Sequence, residues 1–381
     1  MADLRLAGIT KKFGKTIALQ NINFEVKDKE FFIIFGPAGA GKTTLLNMIA
    51  GTYDPDSGHV YMDGACIDAV EPEDRNVAMV FEDYALYPHL SVFDNIASPL
   101  RSPRYREPQD VLKRKVTEVA KTLKIDWLLD RNPSELSNGQ RQRVGLGRAL
   151  VRSPKAFLMD EPLTHLDAKL RHQMRAELKD MQKNLDTTTL YVTHDYLEAL
   201  SLGDRILVLN NGQIEQIGTP EDIYYRPANE FVASSFGEPE INILDAELLT
   251  ENGEYGFKIF KQSSNYKVPD KVLQVLQRTK QSRVRIGIRP KDVKYSLVKE
   301  REHSVLGTVY SFEPLGAKAI LTVEVEGAFI RLSIPSEVDI RLGQEIYVEI
   351  NIDGGIFFDA NHNNLFAEQT EKEGSGFAWQ T

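Results

Sequence analysis

The chain has 381 residues, 42% apolar and 27% charged, with a formal net charge of −9 at pH 7. That length favours two domains over one core, and the acidic balance excludes a chain built as an electrostatic match for nucleic acid. The lone cysteine, Cys66, excludes an internal disulfide, and no run approaches the ~20 apolar residues of a membrane-spanning helix, so any membrane role is expected to come through a partner.

The opening segment, MADLRLAGITKKFG, lacks the apolar core of a signal peptide. Residues 3–26 alternate apolar and polar positions around a Gly14-Lys15 turn, which predicts two antiparallel strands. Phe13 stands beside that turn; an edge aromatic packed on the sheet and an adenine-stacking ring both fit it.

The run Phe31–Phe35, FFIIF, predicts a short buried strand. The turn Gly36-Pro37-Ala38-Gly39-Ala40-Gly41-Lys42-Thr43 follows and fits G-x-x-x-x-G-K-[ST] at every fixed position. Thr44–Ala50 then has helical character, with Gly51 as a stop. Such a turn aims backbone N–H groups at phosphate oxygens, and the helix N-terminus adds positive partial charge there. Lys42 is expected to reach the β/γ-phosphates and the Thr43 hydroxyl to hold Mg²⁺, which predicts a nucleoside-triphosphate site.

A short strand is expected at His59–Met62, and a second all-apolar strand at Val77–Phe81 ends at Glu82. Carboxylates past the ends of parallel strands line the ligand crevice of an open α/β sheet, although Glu82 also suits a cap. Residues 83–100 read as an aromatic-rich loop, and 101–131 as an amphipathic helix inserted in the sheet domain. Its loop portion, Tyr84 to Phe93, offers an aromatic surface suited to receive a short helix. Leu136-Ser137-Asn138-Gly139-Gln140 precedes a helix expected over 141–152, and its polar cluster fits either a cap or a second phosphate-facing terminus.

A third strand, Ala156–Met159, ends in Asp160-Glu161, one carboxylate for Mg²⁺ and one to activate water. Leu190–Thr193 repeats the pattern and ends in His194-Asp195, and 206–217 read as a hairpin about Asn211-Gly212. After a proline-rich passage at 219–240 the pattern is β throughout. Runs such as Leu321–Val325 and Ile346–Ile352 alternate with period two, which predicts a small OB-like sandwich or barrel. The expected fold class is α/β: a phosphate-loop sheet domain over 1–235 with a helical insert at about 83–152, then an all-β OB-like domain over 236–381.

Taken in order, these stretches resemble the ATP-binding subunit of an ABC transporter. The segment Asp74–Ile96, DRNVAMVFEDYALYPHLSVFDNI, is similar to the carbohydrate-importer branch, which includes the maltose and glycerol-3-phosphate importers, and the β-rich half to its TOBE regulatory domain. The resemblance implies an ATPase whose cofactors are ATP and Mg²⁺. It implies that Phe13 stacks on adenine, that residues 36–44, through Thr44, cradle the phosphates, and that Asp160 supports Mg²⁺. Glu161 would act as general base and His194 would contact the γ-phosphate. Ser137, Asn138, Gly139 and Gln140 would face the ATP of an opposing subunit, with Asp167 at the seam.

It also implies a second ATPase subunit, two integral membrane permease subunits, an external solute-binding protein, no nucleic-acid partner, and a peripheral place on the cytoplasmic face of the membrane. Three departures stand out. Glu82 replaces a usual glutamine and brings a carboxylate able to ligand Mg²⁺. Asn138 replaces a glycine, and Thr164-His165 alters the loop before Asp167. Glu82 and Asn138 favour an alternative in which this chain is a partly degenerate subunit paired with a second, non-identical and more active ATPase.

Overall fold

A computed structural model describes residues 3–81, 84–164, 168–185, 187–251, 254–262 and 265–367. Two compact units divide at Pro220.

The first unit contains two sheets. Strands β1 (Leu4–Phe13) and β2 (Thr16–Val26) form the expected antiparallel pair. With β4 (Ser57–Met62) and β5 (Ala65–Cys66) they make a four-stranded sheet ordered β2-β1-β4-β5. The second sheet holds β3 (Phe31–Phe35), β6 (Val77–Val80), β7 (Ala156–Asp160), β8 (Thr188–Thr193), β9 (Arg205–Asn210) and β10 (Gln213–Gly218), in the order β10-β9-β3-β8-β7-β6. All its pairings are parallel except β9 with β10.

Parallel strands covered on both faces need unbroken apolar runs, and β3 is buried at all five positions for that reason. Phe32 and Ile34 share a core cluster with Leu45, Leu46, Met48 and Ile49 of helix α1 (Lys42–Ala50), while Phe31 meets the ring of Tyr191 at 5.7 Å. Arg75 closes the far end of α1: its guanidinium donates to the carbonyls of Met48 (2.8 Å), Ile49 (3.2 Å), Val70 (2.8 Å) and Asp68 (3.2 Å). A cation at a helix carboxyl end also matches the helix dipole.

Between β6 and β7 the chain is more helical at its start, and less helical in its middle, than the sequence predicts. Within the expected loop, α2 (Val92–Ala97) begins where the Ser91 hydroxyl accepts from Asp94 N at 3.0 Å. The amide of Asn95, a buried residue, donates to the carbonyls of Tyr87, Leu90 and Ser91 at 3.0 Å each and folds the aromatic loop onto this helix. The long amphipathic helix shrinks to α3 (Gln109–Thr122). Pro103 and Pro108 supply no N–H for an earlier start, and Lys124 ends the helical backbone at φ 57°. The next helix, α4 (Asn138–Leu150), starts three residues before the expected 141, because Ser137 caps it. Two further helices, α5 (Ala168–Leu185) and α6 (Tyr196–Leu202), flank β8 in sequence.

The second unit is built on two five-stranded antiparallel sheets. One comprises β11 (Asn242–Glu251), β12 (Glu254–Lys258), β13 (Tyr266–Lys267), β14 (Arg283–Ile288) and β20 (Ile356–Phe358), ordered β13-β12-β11-β14-β20. The other comprises β15 (Val293–Ser296), β16 (Val305–Leu315), β17 (Lys318–Val325), β18 (Ala328–Pro335) and β19 (Glu345–Ile350), ordered β15-β19-β16-β17-β18. Their inward residues form one core.

Beside the expected strands stands the helix Asp270–Thr279, which buries Val272 and Leu276, an i,i+4 pair that the two-residue alternation does not describe. Residues 221–236 pack on the sheets of this unit. Buried Arg289 donates to the carbonyls of Tyr224 at 2.7 Å and Ala233 at 3.0 Å, and also to that of Phe236.

Candidate functional site

Strand order brings the site together. β3, β8 and β7 are neighbours and run in the same direction, so the residues after each carboxyl end collect at one edge of the sheet. These are the phosphate loop after β3, His194 after β8, and Asp160 and Glu161 at and beyond the end of β7.

The loop is seated on β9, the turn after it, and β2. A Cβ on Gly36 would lie 2.2 Å from the carbonyl oxygen of Leu209, and one on Gly41, at φ 104°, would lie 2.6 Å from that of Ala18. Only glycine admits both approaches. Ala40 N donates to Pro37 O at 3.2 Å, and Ala40 O accepts from Gly212 N at 3.0 Å, which fixes the curl. Pro37, Ala38 and Gly39 form its exposed crest, and Lys42, Thr43 and Thr44 open α1.

Lys42 is buried, and its ammonium donates to the carbonyls of Gly36 at 2.9 Å and Pro37 at 3.0 Å. Glu161 Oε1 lies 3.3 Å from the same nitrogen. The Thr43 hydroxyl donates to Asp160 Oδ1 at 3.2 Å, although the two residues are far apart in sequence. A hydroxyl and a carboxylate in that contact are a hard oxygen donor set suited to Mg²⁺. The glycine cradle, the buried ammonium and the helix N-terminus suit a triphosphate.

Glu161 adopts φ 46°, a left-handed backbone that is costly for a residue with a Cβ. Its N–H donates to Val192 O at 3.1 Å, and its Oε2 accepts from the Thr164 hydroxyl at 3.2 Å. His194 Nδ1 shares a 2.7 Å hydrogen bond with the same Oε2. The strand tips thus hold Glu161 between a cation and an imidazole, an arrangement able to accept and relay a proton.

Sequence reasoning missed the residues that brace this group. Arg171 of α5 donates to Thr164 O and to Asp195 Oδ2, both at 3.3 Å, and Asp195 caps α6. Buried Glu198 accepts from the hydroxyls of Tyr191 at 2.9 Å and Thr193 at 2.7 Å, anchoring the strand that carries His194, and burial pushes its carboxyl up. Tyr84 is buried at φ 59° and donates its hydroxyl to Pro162 O at 3.0 Å, one residue past Glu161. Arg148 of α4 donates to the carbonyls of Tyr84 at 2.8 Å and Ala85 at 2.6 Å. Gly145 lets α4 approach, since a Cβ there would meet Tyr84 Cβ at 3.2 Å. The contacts of Tyr84 with Pro162, of Arg148 with Tyr84 and of Arg171 with Asp195 have no local signature, because each joins segments distant in sequence.

Burial pushes the Tyr84 hydroxyl up to about 12, so it stays a donor across the working pH range. Tyr84→Phe would leave the Pro162 carbonyl without that donor. A loss of ~1–2 kcal/mol in stability is expected, read as a lower Tm in thermal unfolding of the full chain; an unchanged Tm would show that the bond contributes nothing.

Ser137 and Gln140 cap α4 reciprocally: Ser137 Oγ accepts from Gln140 N at 3.4 Å and Gln140 Oε1 accepts from Ser137 N at 2.9 Å. Among the described residues no hydrogen bond joins Ser137, Asn138, Gly139 or Gln140 to the phosphate loop. Phe13 is 45% exposed and meets Tyr53 edge to face at 5.3 Å, so it is not an aromatic buried against the sheet. Glu82 and Asp167 lie outside the described residues.

The ABC transporter family model matches residues 19–164, and the TOBE domain model matches residues 286–358. The trehalose/maltose import ATP-binding protein MalK of Thermococcus litoralis is 43% identical over 98% of this chain and 99% of its own. The oligosaccharides import ATP-binding protein MsmX of Bacillus subtilis is 40% identical over 94% and 98%. The sn-glycerol-3-phosphate import ATP-binding protein UgpC 1 of Rhizobium johnstonii is 38% identical over 93% of each chain. Among solved structures, a dimeric ATP-binding cassette in a post-hydrolysis state with ADP and Pi aligns at TM-score 0.51 and 31% identity, over 57% of this chain and 98% of that one. CbiO1 of Clostridium perfringens, part of an ABC transporter complex, aligns at TM-score 0.55 and 28% identity, over 58% and 90%.

Proposed function

This chain belongs to the ABC transporter family as the ATP-hydrolysing subunit of an importer, and from that premise we propose how its residues share the work. The observation that carries the reading is the meeting of Lys42, Glu161 and His194 at the tips of three adjoining strands. Residues 36–44 bind the phosphates of ATP, and Lys42 neutralises their charge. Thr43 and Asp160 would hold Mg²⁺, which supplies charge neutralisation when bound, and Glu82 adds a third oxygen donor. Glu161 takes the proton of the attacking water, and His194 contacts the γ-phosphate while its hydrogen bond orients Glu161. Phe13 stacks on adenine.

The solute is a sugar or glycerol phosphate, the cargoes in the relatives' names, or a polyol or glycerol of the same hydroxyl-rich chemistry. Ser137, Asn138, Gly139 and Gln140, with Asp167 at the seam, serve the ATP of a second subunit. Ser137 and Gln140 bond each other and, among the described residues, share no hydrogen bond with this chain's own loop, which is in keeping with that role. Two membrane permeases receive the force at the surface around exposed Tyr87, and an external solute-binding protein delivers the cargo. The chain sits peripherally on the cytoplasmic face of the membrane.

Asn138, in the first turn of α4, favours a second reading, because the residue serves the opposing site. Paired with itself, the chain would carry the Glu82 and Asn138 departures in both sites; paired with a different ATPase, one in each. Isolation of the native complex tests both readings. Co-purification with integral membrane subunits is expected, together with a second ATPase of different mass. Absence of membrane subunits would overturn the importer role, and two copies of this chain alone would overturn the mixed pair. In the mixed complex Glu82→Gln is expected to raise turnover, since the carboxylate opposes the charge clamp even where it can ligand Mg²⁺; an unchanged or lower rate would make it a working metal ligand and not a brake.

A further inference from the structure

Away from the strand tips, three ligand-type side chains converge on the β4–β5 hairpin. Tyr61 pairs with Cys66 across the hairpin, and alternation buries Val60 and Met62 while His59 faces out with Tyr61. Cross-strand pairing puts Cys66 on that same outer face, and Asp68, two residues on, joins it. Asp68 Oδ2 lies 2.7 Å from His59 Nδ1 and 3.4 Å from Cys66 Sγ. Its other oxygen accepts from Val60 N at 2.9 Å, so the carboxylate is held in place before any ligand arrives. The three candidate donor atoms lie within 4.8 Å of one another.

Tetrahedral zinc, with bonds of about 2.0 Å to nitrogen and oxygen and about 2.3 Å to sulfur, spaces its donors at roughly 3.3–3.6 Å. The sulfur–oxygen distance already fits. The nitrogen–oxygen contact must open by well under ~1 Å, and rotation of exposed His59 and Cys66 closes the third side. The donor set is also selective: thiolate and imidazole suit zinc-class ions, whereas Mg²⁺ prefers oxygen.

We propose that His59, Cys66 and Asp68 form a three-ligand site for a zinc-class divalent cation, with a fourth position open to water. The site is separate from the phosphate loop. It would clamp the turn after β5 to β4. Arg75 bonds Asp68 O and the last carbonyls of α1, so the clamp reaches the far end of the phosphate-loop helix.

Cobalt(II) titration of the purified full chain tests this directly. Cys66 is the only cysteine among 381 residues, so a thiolate-to-cobalt band in the near ultraviolet reports this site alone. One band is expected, saturating at one equivalent, bleached by equimolar Zn²⁺ and untouched by excess Mg²⁺. Cys66→Ser should abolish it, and His59→Ala and Asp68→Asn should each weaken cobalt affinity at least ~10-fold. Absence of the band at several equivalents would overturn the proposal, leaving a His59–Asp68 hydrogen bond with a bystander thiol. So would a band whose affinity is unchanged in His59→Ala.

Discussion

Replacing Glu161 by glutamine is expected to cut ATP turnover of the assembled transporter ~10²-fold or more while ATP binding survives. Proton acceptance by a positioned side chain is worth about 10²–10⁴ in rate, and the amide has the same shape but cannot take the proton. The contacts make this a clean test. Glu161 is fixed by its own backbone N–H to Val192 O at 3.1 Å and by the Thr164 hydroxyl at 3.2 Å, so the variant should keep its place. Equilibrium ATP binding and steady-state phosphate release, measured side by side, decide the matter. Near-normal turnover would remove Glu161 from the role of base, and lost binding would show that its charge organises the loop.

Lys42→Ala should behave differently, losing binding and turnover together. Its ammonium staples the loop through the carbonyls of Gly36 and Pro37 and stands 3.3 Å from Glu161. Without it, the two carboxylates at the end of β7 would face the phosphates with no buried cation between them. Preorganised charge of this kind is typically worth ~10²–10³ in rate, and the loss should appear in ATP affinity as well. A fluorescent ATP analogue titrated against both variants separates the cases: Glu161→Gln retains it and Lys42→Ala does not. Retained affinity in Lys42→Ala would mean that backbone N–H groups and the helix terminus suffice for binding.

How far the sequence reveals this site depends on where the information lies. β3, β7 and β8 are buried on both faces, so their apolar runs stand out, and the residues at their tips are marked by position alone. The phosphate loop is legible because its backbone path admits few residue types. Tyr84, Arg148, Arg171 and Glu198 are not legible in that way. A tyrosine in an aromatic loop looks like any other until Pro162 receives its hydroxyl, and Glu198 looks like a surface charge on a helix until Tyr191 and Thr193 enclose it. The helix α2 did carry a local mark, Ser91 three residues before Asp94, but the neighbouring aromatics and prolines masked it. In the second unit the alternation predicted strands well, and for the same reason it passed over the helix at 270–279, whose apolar residues repeat on a longer period.

The seat of the phosphate loop has a consequence for the order in which the protein is made. Gly36 rests on the carbonyl of Leu209, Ala40 is tied to Gly212, and β3 lies between β8 and β9 in the sheet. A ribosome delivers β3 early and both of its neighbours late, so the strand waits with two unpaired edges while the intervening helices emerge. Such non-local parallel pairing is slow, and it leaves apolar edges open to association with other nascent chains. Nucleotide gives no help in that interval, because its cradle has no floor until β9 and the turn after it have been synthesised. ATP can therefore stabilise only a completed first unit, by mass action on the folded form, and a chain released before that point has both edges of FFIIF unpaired, with only α1 and the first two strands to cover the face of Phe32 and Ile34.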